Sequence, residues 1–335
     1  MAPKKKLGSP HEVKVTLKTI ATRLGLTPGT VSAALNDSAA ARSISEATKQ
    51  RIFQAAKELN YHPNFFARSL RLQRTFTIGV IAEEIGDAYG AMVINGVEGY
   101  LRKHNYFFLT VIHRHNPQLL QAYSQLLLQR GVEGVTNITL DHKLAARLAL
   151  SHLVELGHEE IAFLKGHPSS SDSAVRWSSI CEVAAELGVR IRPELTVQID
   201  STVSTPELGY PFAKQLLARR QPFSALFAYN DVSAIGTTWA FREAGLRIPE
   251  DISVVGFDDI PGAAYANPGL TTVRQPLQRM GQIAAQCVID QIEGVAEYVP
   301  EIAIEPELIV RASSGPAPSL FGGGKFADLH RMQQD

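Results

Sequence analysis

Cysteine is nearly absent, with two in 335 residues, Cys181 and Cys287. Neither stands in a CxxC pair or beside histidines. That excludes a disulfide scaffold or a zinc knuckle, and leaves two buried, reduced residues of a cytosolic protein as the expectation. Long apolar runs are missing as well, and no stretch reaches the roughly 18 residues that a membrane helix needs. The basic opening MAPKKK has no apolar segment behind it, so no secretory signal is read there. Catalytic patterning is equally scarce. There is no nucleophile–base spacing, metal-ligand cluster or phosphate loop, and the glycines at 322–324 follow no strand-like run. Neither a catalytic site, a metal nor a cofactor is expected.

Net charge is also missing, but only in the sum. Residues 1–75 hold 13 Lys+Arg against 4 Asp+Glu, so the remaining 260 residues carry the matching acidic excess. A basic head on an acidic body points to a polyanion met by the head alone. The alternative is ordinary clustering on a solvated domain.

The head has helical period. Leu17, Ile20, Ala21 and Leu24 line one face behind the cap Thr16. Gly25 ends that helix, and Thr27 with Pro28 opens a second. There Val31, Ala34 and Leu35 face inward, and Gly29, Thr30, Ser32, Ala33 and Asn36 face out. A third helix follows Ser45, with Ile52, Ala55, Ala56 and Leu59 inward. Two helices about a tight turn with a third behind them is the helix-turn-helix arrangement. A plain bundle hairpin has similar periodicity. The outward face here is small and polar, though, which suits close approach to base edges and phosphates.

From residue 77 the pattern alternates. The strand-like runs are IGVIAEE, FFLTVIH, IAFLKG, LTVQID, ALFAY and SVVGFDD. Helical stretches fall at 96–103, 118–130, 143–156, 176–187, 208–219 and 232–244. A helix at 280–293 and a strand at 302–310 close the body. This predicts α/β architecture with parallel sheets and helices on both faces. Ligands in such sheets meet the carboxyl ends of strands. That singles out Asp87, Tyr89, residues 169–176 with Arg176, Asn230, Asp231, Asp258 and Asp259, with Trp177 as an aromatic cover. Helix capping is the competing role for the Asn and Asp residues.

VTLKTIATRLGLTPGTVSAALN, NYHPNFFARSLR, TIGVI, HLVELGHEEIAFLKG, YNDVSAIG, GLRIPEDISVVGFDD and PGLTTVRQPLQRMG together resemble the lactose-repressor (LacI/GalR) family of bacterial transcription regulators, almost to Ser313. The resemblance implies a helix-turn-helix head at 15–62, a hinge helix and linker at 63–76, and a body at 77–312. The body would be two subdomains like periplasmic binding proteins, one of about 77–165 plus 276–300 and one of about 166–275 plus 301–312. Residues 1–14 and 313–335 are set aside as disordered tails. A sequence-specific repressor follows, in the cytoplasm with the nucleoid. Its partners would be double-stranded, palindromic operator DNA, a second copy of the chain and a small effector such as a sugar, with no membrane. The implied DNA-binding set is Thr16, Thr27, Pro28, Gly29, Thr30, Ser32, Ala33, Asn36, Asn64, Arg68, Leu70 and Arg71, with Leu70 as a minor-groove wedge. The implied effector set is Asp87, Tyr89, Arg176, Asn230, Asp258 and Gln275.

Two departures stand out. The reading positions Pro28, Gly29 and Ala33 offer no bidentate base contact. Between Gly131 and Asp141 the family carries strand, helix and strand, where this chain has only VEGVTNITLD. A βαβ unit takes about 30 residues, so the first subdomain is expected to lack a strand and its covering helix and to leave an apolar edge bare. A solute-binding protein whose DNA-binding head has lost regulatory function is the alternative this shortening leaves open.

Overall fold

The computed structural model describes residues 15–62, 69–70, 72–82, 86–114, 116–134, 139–168, 170–200, 205–295 and 303–318. Residues 1–74 form one unit and 75–335 another.

In the head, Thr16 Oγ1 accepts the Thr19 N–H at 3.3 Å and starts α1 (Leu17–Leu24). Gly25 ends it at φ 65°, where a side chain would be strained. Thr27 Oγ1 accepts the Thr30 N–H at 3.1 Å and opens α2 (Pro28–Leu35), with Pro28 first. After a 3₁₀ turn at Ala39–Ser43, Ser45 caps α3 (Glu46–Glu58). Ile20, Ala21, Val31, Ala34, Ile52 and Ala55 form the buried centre. Each branched side chain there contributes about 1.5–3 kcal/mol by burial.

The body contains ten strands and eight helices among its described residues. The first layer begins with β1 (Thr77–Ala82), α4 (Ala88–Lys103), β2 (Phe107–Ile112) and α5 (Pro117–Gln129). It continues with β3 (Thr139–Leu140) and, from the far end of the chain, α11 (Leu277–Ile292) and β9 (Ala303–Ile304). The second layer is built from α6 (His142–Glu155), β4 (Ile161–Lys165), α7 (Ser171–Glu186), β5 (Thr196–Gln198) and α8 (Gly209–Ala218). It adds β6 (Ala225–Phe227), α9 (Asp231–Glu243), β7 (Ser253–Asp258), α10 (Pro261–Tyr265), β8 (Thr271–Arg274) and β10 (Glu307–Ile309).

Its six strands run β10-β8-β7-β6-β4-β5, all parallel except β10 at the edge. Successive side chains of β4 alternate between two cores. Ile161 and Phe163 pack with α6 and α7, while Ala162 and Leu164 pack with the side that holds α8 and α9. Burial on both faces explains why these strands read as unbroken apolar runs.

Among the described residues the first layer has two separate parallel pairs, β1–β2 and β3–β9. Residues 132–134 run beside β1 through Glu133 N–H to Thr77 O (3.0 Å) and Gly79 N–H to Gly134 O (3.4 Å). The interval where the loss of a strand-helix-strand unit is expected continues through residues 135–138, which lie outside the described residues. Phe107 and Leu109 of β2 and Leu120, Leu126 and Leu128 of α5 stay exposed. What holds this layer is the crossing of α4 and α11, where Gly96 and Gly281 let the two backbones touch. A Cβ on Gly96 would overlap the Gln278 carbonyl, and one on Gly281 the Val93 carbonyl.

Three boundaries change. α6 and β4 belong with the six-stranded sheet, so the second layer begins near residue 141 and not at 166. β9 returns to the first layer, and only β10 joins the second. Residues 313–318 are not a loose tail, since Ser313 is buried, donates to Val254 O (2.6 Å) and accepts the Thr271 N–H (2.8 Å). Helices α4 and α7 also start earlier than expected, because their first turns hold small or polar residues that mask the period. Cys287 is buried and Cys181 only half-buried, and both are free thiols.

Candidate functional site

On the head, Thr27, Pro28, Gly29 and Asn36 are exposed along α2, and Thr30 and Ser32 half-exposed. Asn36 Nδ2 donates to Ser32 O at 2.7 Å. Ala33 is a correction, for it is buried. The chain doubles back after α2, with Ser38 N–H on Ala33 O (3.2 Å), and covers that side. Ala33 therefore offers no methyl to a base, and the presented face is Thr27–Thr30 with Asn36. Its plainness is not forced by the fold, since a Cβ on Gly29 would meet only Thr27 Oγ1, at 3.7 Å. Leu70 is helical and, among the described residues, 82% exposed. Asn64, Arg68 and Arg71 lie outside the described residues.

In the body, residues from both layers converge at the strand ends. Arg176, on α7, is buried beneath aromatic rings. Its guanidinium lies 3.9 Å from the Phe257 ring centre and 4.7 Å from that of Tyr229. Nη1 donates to Tyr229 O (2.7 Å) and Nη2 to Asp172 Oδ2 (2.5 Å). Asp172 Oδ1 meets His142 Nε2 at 2.6 Å. Asp258, at the end of β7, accepts from Gln275 Nε2 (2.6 Å) and has φ 113°, a strained conformation for a side chain of its kind. Tyr89, from the first layer, is half-buried near Asp258, Asp172 and Arg176. Gly166 makes room for the Tyr229 ring, which a Cβ there would overlap.

Electrostatics divides the two carboxylates. Burial pushes Asp258 well above the ordinary carboxylate range, and Arg176 only partly offsets it. Burial also raises Asp172, but Arg176 and His142 outweigh it and hold that carboxyl well below the range. Desolvation works against the Arg176 charge, and Asp172 more than restores it. Burial beside Asp258 and Asp172 raises the Tyr89 phenol. The two carboxyls beside Arg176 are thus driven in opposite directions, Asp258 towards its protonated form and Asp172 towards its charged one.

Of the expected effector residues, Tyr89, Arg176, Asp258 and Gln275 come together. Asp87 and Asn230 are helix caps. Asp87 Oδ1 accepts the Gly90 N–H (2.8 Å), and Asn230 Oδ1 accepts the Ser233 N–H (2.9 Å) in a reciprocal capping box. Asp231 does not cap. It is buried, taking the Ile260 N–H (2.9 Å) and the Thr272 hydroxyl (2.5 Å). Asp259 is held between Arg274 (2.6 Å) and Arg311 (2.7 Å). Trp177 packs edge-on against Phe163, 5.8 Å between ring centres, so the aromatic cover is Tyr89, Tyr229 and Phe257. Sequence reading flagged residues 169–176 without separating Asp172 from its neighbours, and it missed His142 and Tyr229. Asp172 was legible as a helical i−4 partner of Arg176, but His142 carried no local signal. A cleft of about 360 Å³ opens beside Gln275, lined also by Met92, Arg274 and Gln282. It leads to the cluster's edge and not onto Arg176.

The model for bacterial regulatory proteins of the lacI family matches residues 16–64, and that for the periplasmic binding protein-like domain matches 150–314. The HTH-type transcriptional repressor PurR of Erwinia tasmaniensis is 31% identical, over 90% of this chain and 98% of that one. The chain belongs to the lacI family of bacterial regulatory proteins. PurR of Haemophilus influenzae is 30% identical over 89% of the chain and 98% of its own length. The lac repressor dimer bound to operator and the anti-inducer ONPF shares the fold, with TM-score 0.83, 24% identity, and 90% and 99% of the two chains covered. The complex of the transcriptional regulator CelR with cellobiose gives TM-score 0.64 at 27% identity, covering 90% and 100%. The Erwinia alignment spans 339 positions, more than the 335 residues of this chain, while covering 90% of it. Part of that relative therefore has no counterpart here.

Proposed function

We propose that this chain is a transcriptional repressor that binds operator DNA as a homodimer and is switched by a small molecule held between the two layers of its body. The observation that carries this is the conjunction, in one chain, of an exposed, capped reading helix and a buried cluster to which both layers contribute. The relatives are named as repressors, and no catalytic arrangement competes among the described residues. Work in the cytoplasm with the nucleoid follows from that role.

In this reading Thr16, Thr27, Thr30, Ser32 and Asn36 contact phosphates and base edges, with Pro28 and Gly29 allowing close approach. Asn64, Arg68 and Arg71 add hinge contacts. Leu70 enters the minor groove as a wedge, at an unstacking cost of a few kcal/mol repaid by closer contact. Two-fold pairing suits a palindromic site. The exposed β2 and α5 leucines and Phe107, and Trp239, tilted against Tyr210 with ring centres 5.2 Å apart, are apolar surface that a second copy can cover. Effector binding biases the angle between layers, and so the pairing of hinges, by as much as its affinity for the two states differs.

The test is selection from a random DNA pool. The full chain should enrich a palindrome, and the chain from residue 77 onward should enrich nothing. Equal enrichment by both would overturn the head's role, and none by either would overturn the whole reading.

A further inference from the structure

Arg176 is a buried cation in the expected effector set, yet it is already matched from within the chain. Recognition of phosphate or carboxylate by arginine uses two parallel N–H groups. Here one N–H of Nη1 goes to Tyr229 O and one of Nη2 to Asp172, which lies one helical turn earlier on α7 and matches the guanidinium charge. Among the described residues, the unpartnered side-chain atoms in buried positions are Arg176 Nε and His142 Nδ1. Asp172 is tied at its other oxygen by His142, at the start of α6, and its side chain is 41% exposed, so water as well as two donors sustains its charge. Both aromatic rings over the guanidinium close its faces.

We propose that Asp172 is a charge lock that restricts the effector of this site to uncharged, hydroxyl- or amide-bearing molecules and rejects phosphorylated or carboxylated ones. An anion would have to expel Asp172 from both Arg176 and His142, or sit beside it as a second negative charge against the one guanidinium they would share. An uncharged hydroxyl or carbonyl needs only the Arg176 Nε N–H and the Asp258 carboxyl. That carboxyl both donates and accepts in the neutral form that burial favours. The assignment rests on reading this cluster as the effector site.

The probe is inorganic phosphate, titrated calorimetrically into the full chain at pH 7.5 with chloride adjusted to constant ionic strength. Asp172→Asn, Asp172→Ser and the double variant Asp172→Asn/Arg176→Gln are run beside the wild type, and circular dichroism confirms their fold. The double variant reports any phosphate taken up by the basic head. Asp172→Asn and Asp172→Ser should gain a saturable site at least tenfold tighter than any wild-type binding, and the double variant should lose it. Wild-type binding as tight as that of Asp172→Asn overturns the proposal, as does no gain in either folded single variant. So does release or tightening of the wild type on DNA by a sugar or nucleoside phosphate whose uncharged parent is inert. Failure of the effector-site reading looks different. The single variants then gain phosphate as expected, while Arg176→Ala leaves the DNA response to an active effector unchanged.

Discussion

Asp231 gives the sharpest quantitative prediction. Its carboxylate is fully buried at the start of α9 and is pushed up to about 7, mainly by burial, with Thr272 and Ile260 pulling the other way. In the unfolded chain the same group titrates near its ordinary value of 3.8. The folded state therefore holds the proton more tightly by about three pK units, or about 4 kcal/mol at about 1.4 kcal/mol per unit. Because the folded value is the higher one, this contribution is fully present below about pH 4. It is lost as pH rises through about 7. Asp231→Asn removes the titration and keeps the shape, with the Thr272 hydroxyl able to turn and accept from the new amide. Urea unfolding of both proteins from pH 4.5 to 8.5 should show the wild type losing stability relative to the variant by about 3–4 kcal/mol across that range. A difference that stays flat within 0.5 kcal/mol, as for a site coupled to no proton, would falsify the buried-proton account.

The other expectations follow the geometry. Gly281→Ala forces a methyl into the Val93 carbonyl, and should cost about 1–3 kcal/mol or more by overpacking, read as a lowered urea midpoint; an unchanged midpoint means that the α4–α11 crossing does not hold the first layer. Thr27→Ala deletes the cap bond to Thr30 and should destabilise the head by about 0.5–2 kcal/mol, lowering operator affinity with it. Leu70→Ala should weaken specific DNA binding about tenfold or more, some 1.4 kcal/mol, and leave nonspecific binding nearly intact; equal losses in a gel-shift titration would rule out the wedge. Arg176→Ala should abolish the effector response while DNA binding survives, so an unaltered effector dissociation constant would refute that role.

The head was legible almost to the residue, because its signals are local. Thr16, Thr27 and Ser45 each bond a backbone N–H three residues on, Gly25 takes the left-handed conformation, and the 3.6-residue period selects Ile20, Val31 and Ile52 for the core. Ala33 escaped, since what covers it is a turn five residues later. The second layer was legible as alternation, because a strand buried on both faces must be apolar throughout. The expectation of a shortened first layer came from counting, as ten residues cannot form a strand, a helix and a second strand.

Tertiary structure alone decided which polar groups answer one another. Asn230 and Asp231 are neighbours of similar chemistry, yet one caps α9 and the other binds a loop and a strand about 30 and 40 residues away. Asp172 and Arg176 could be paired from helical spacing. The His142 contact that completes them depends on α6 lying beside α7, and the arrival of Tyr89 on how the first layer meets the second. Sequence by itself determined the elements, the basic head and the family, because those rest on period, caps and composition within a few residues. The charge balance of the cluster was set by burial and strand order, which bring together side chains more than 100 residues apart in the chain.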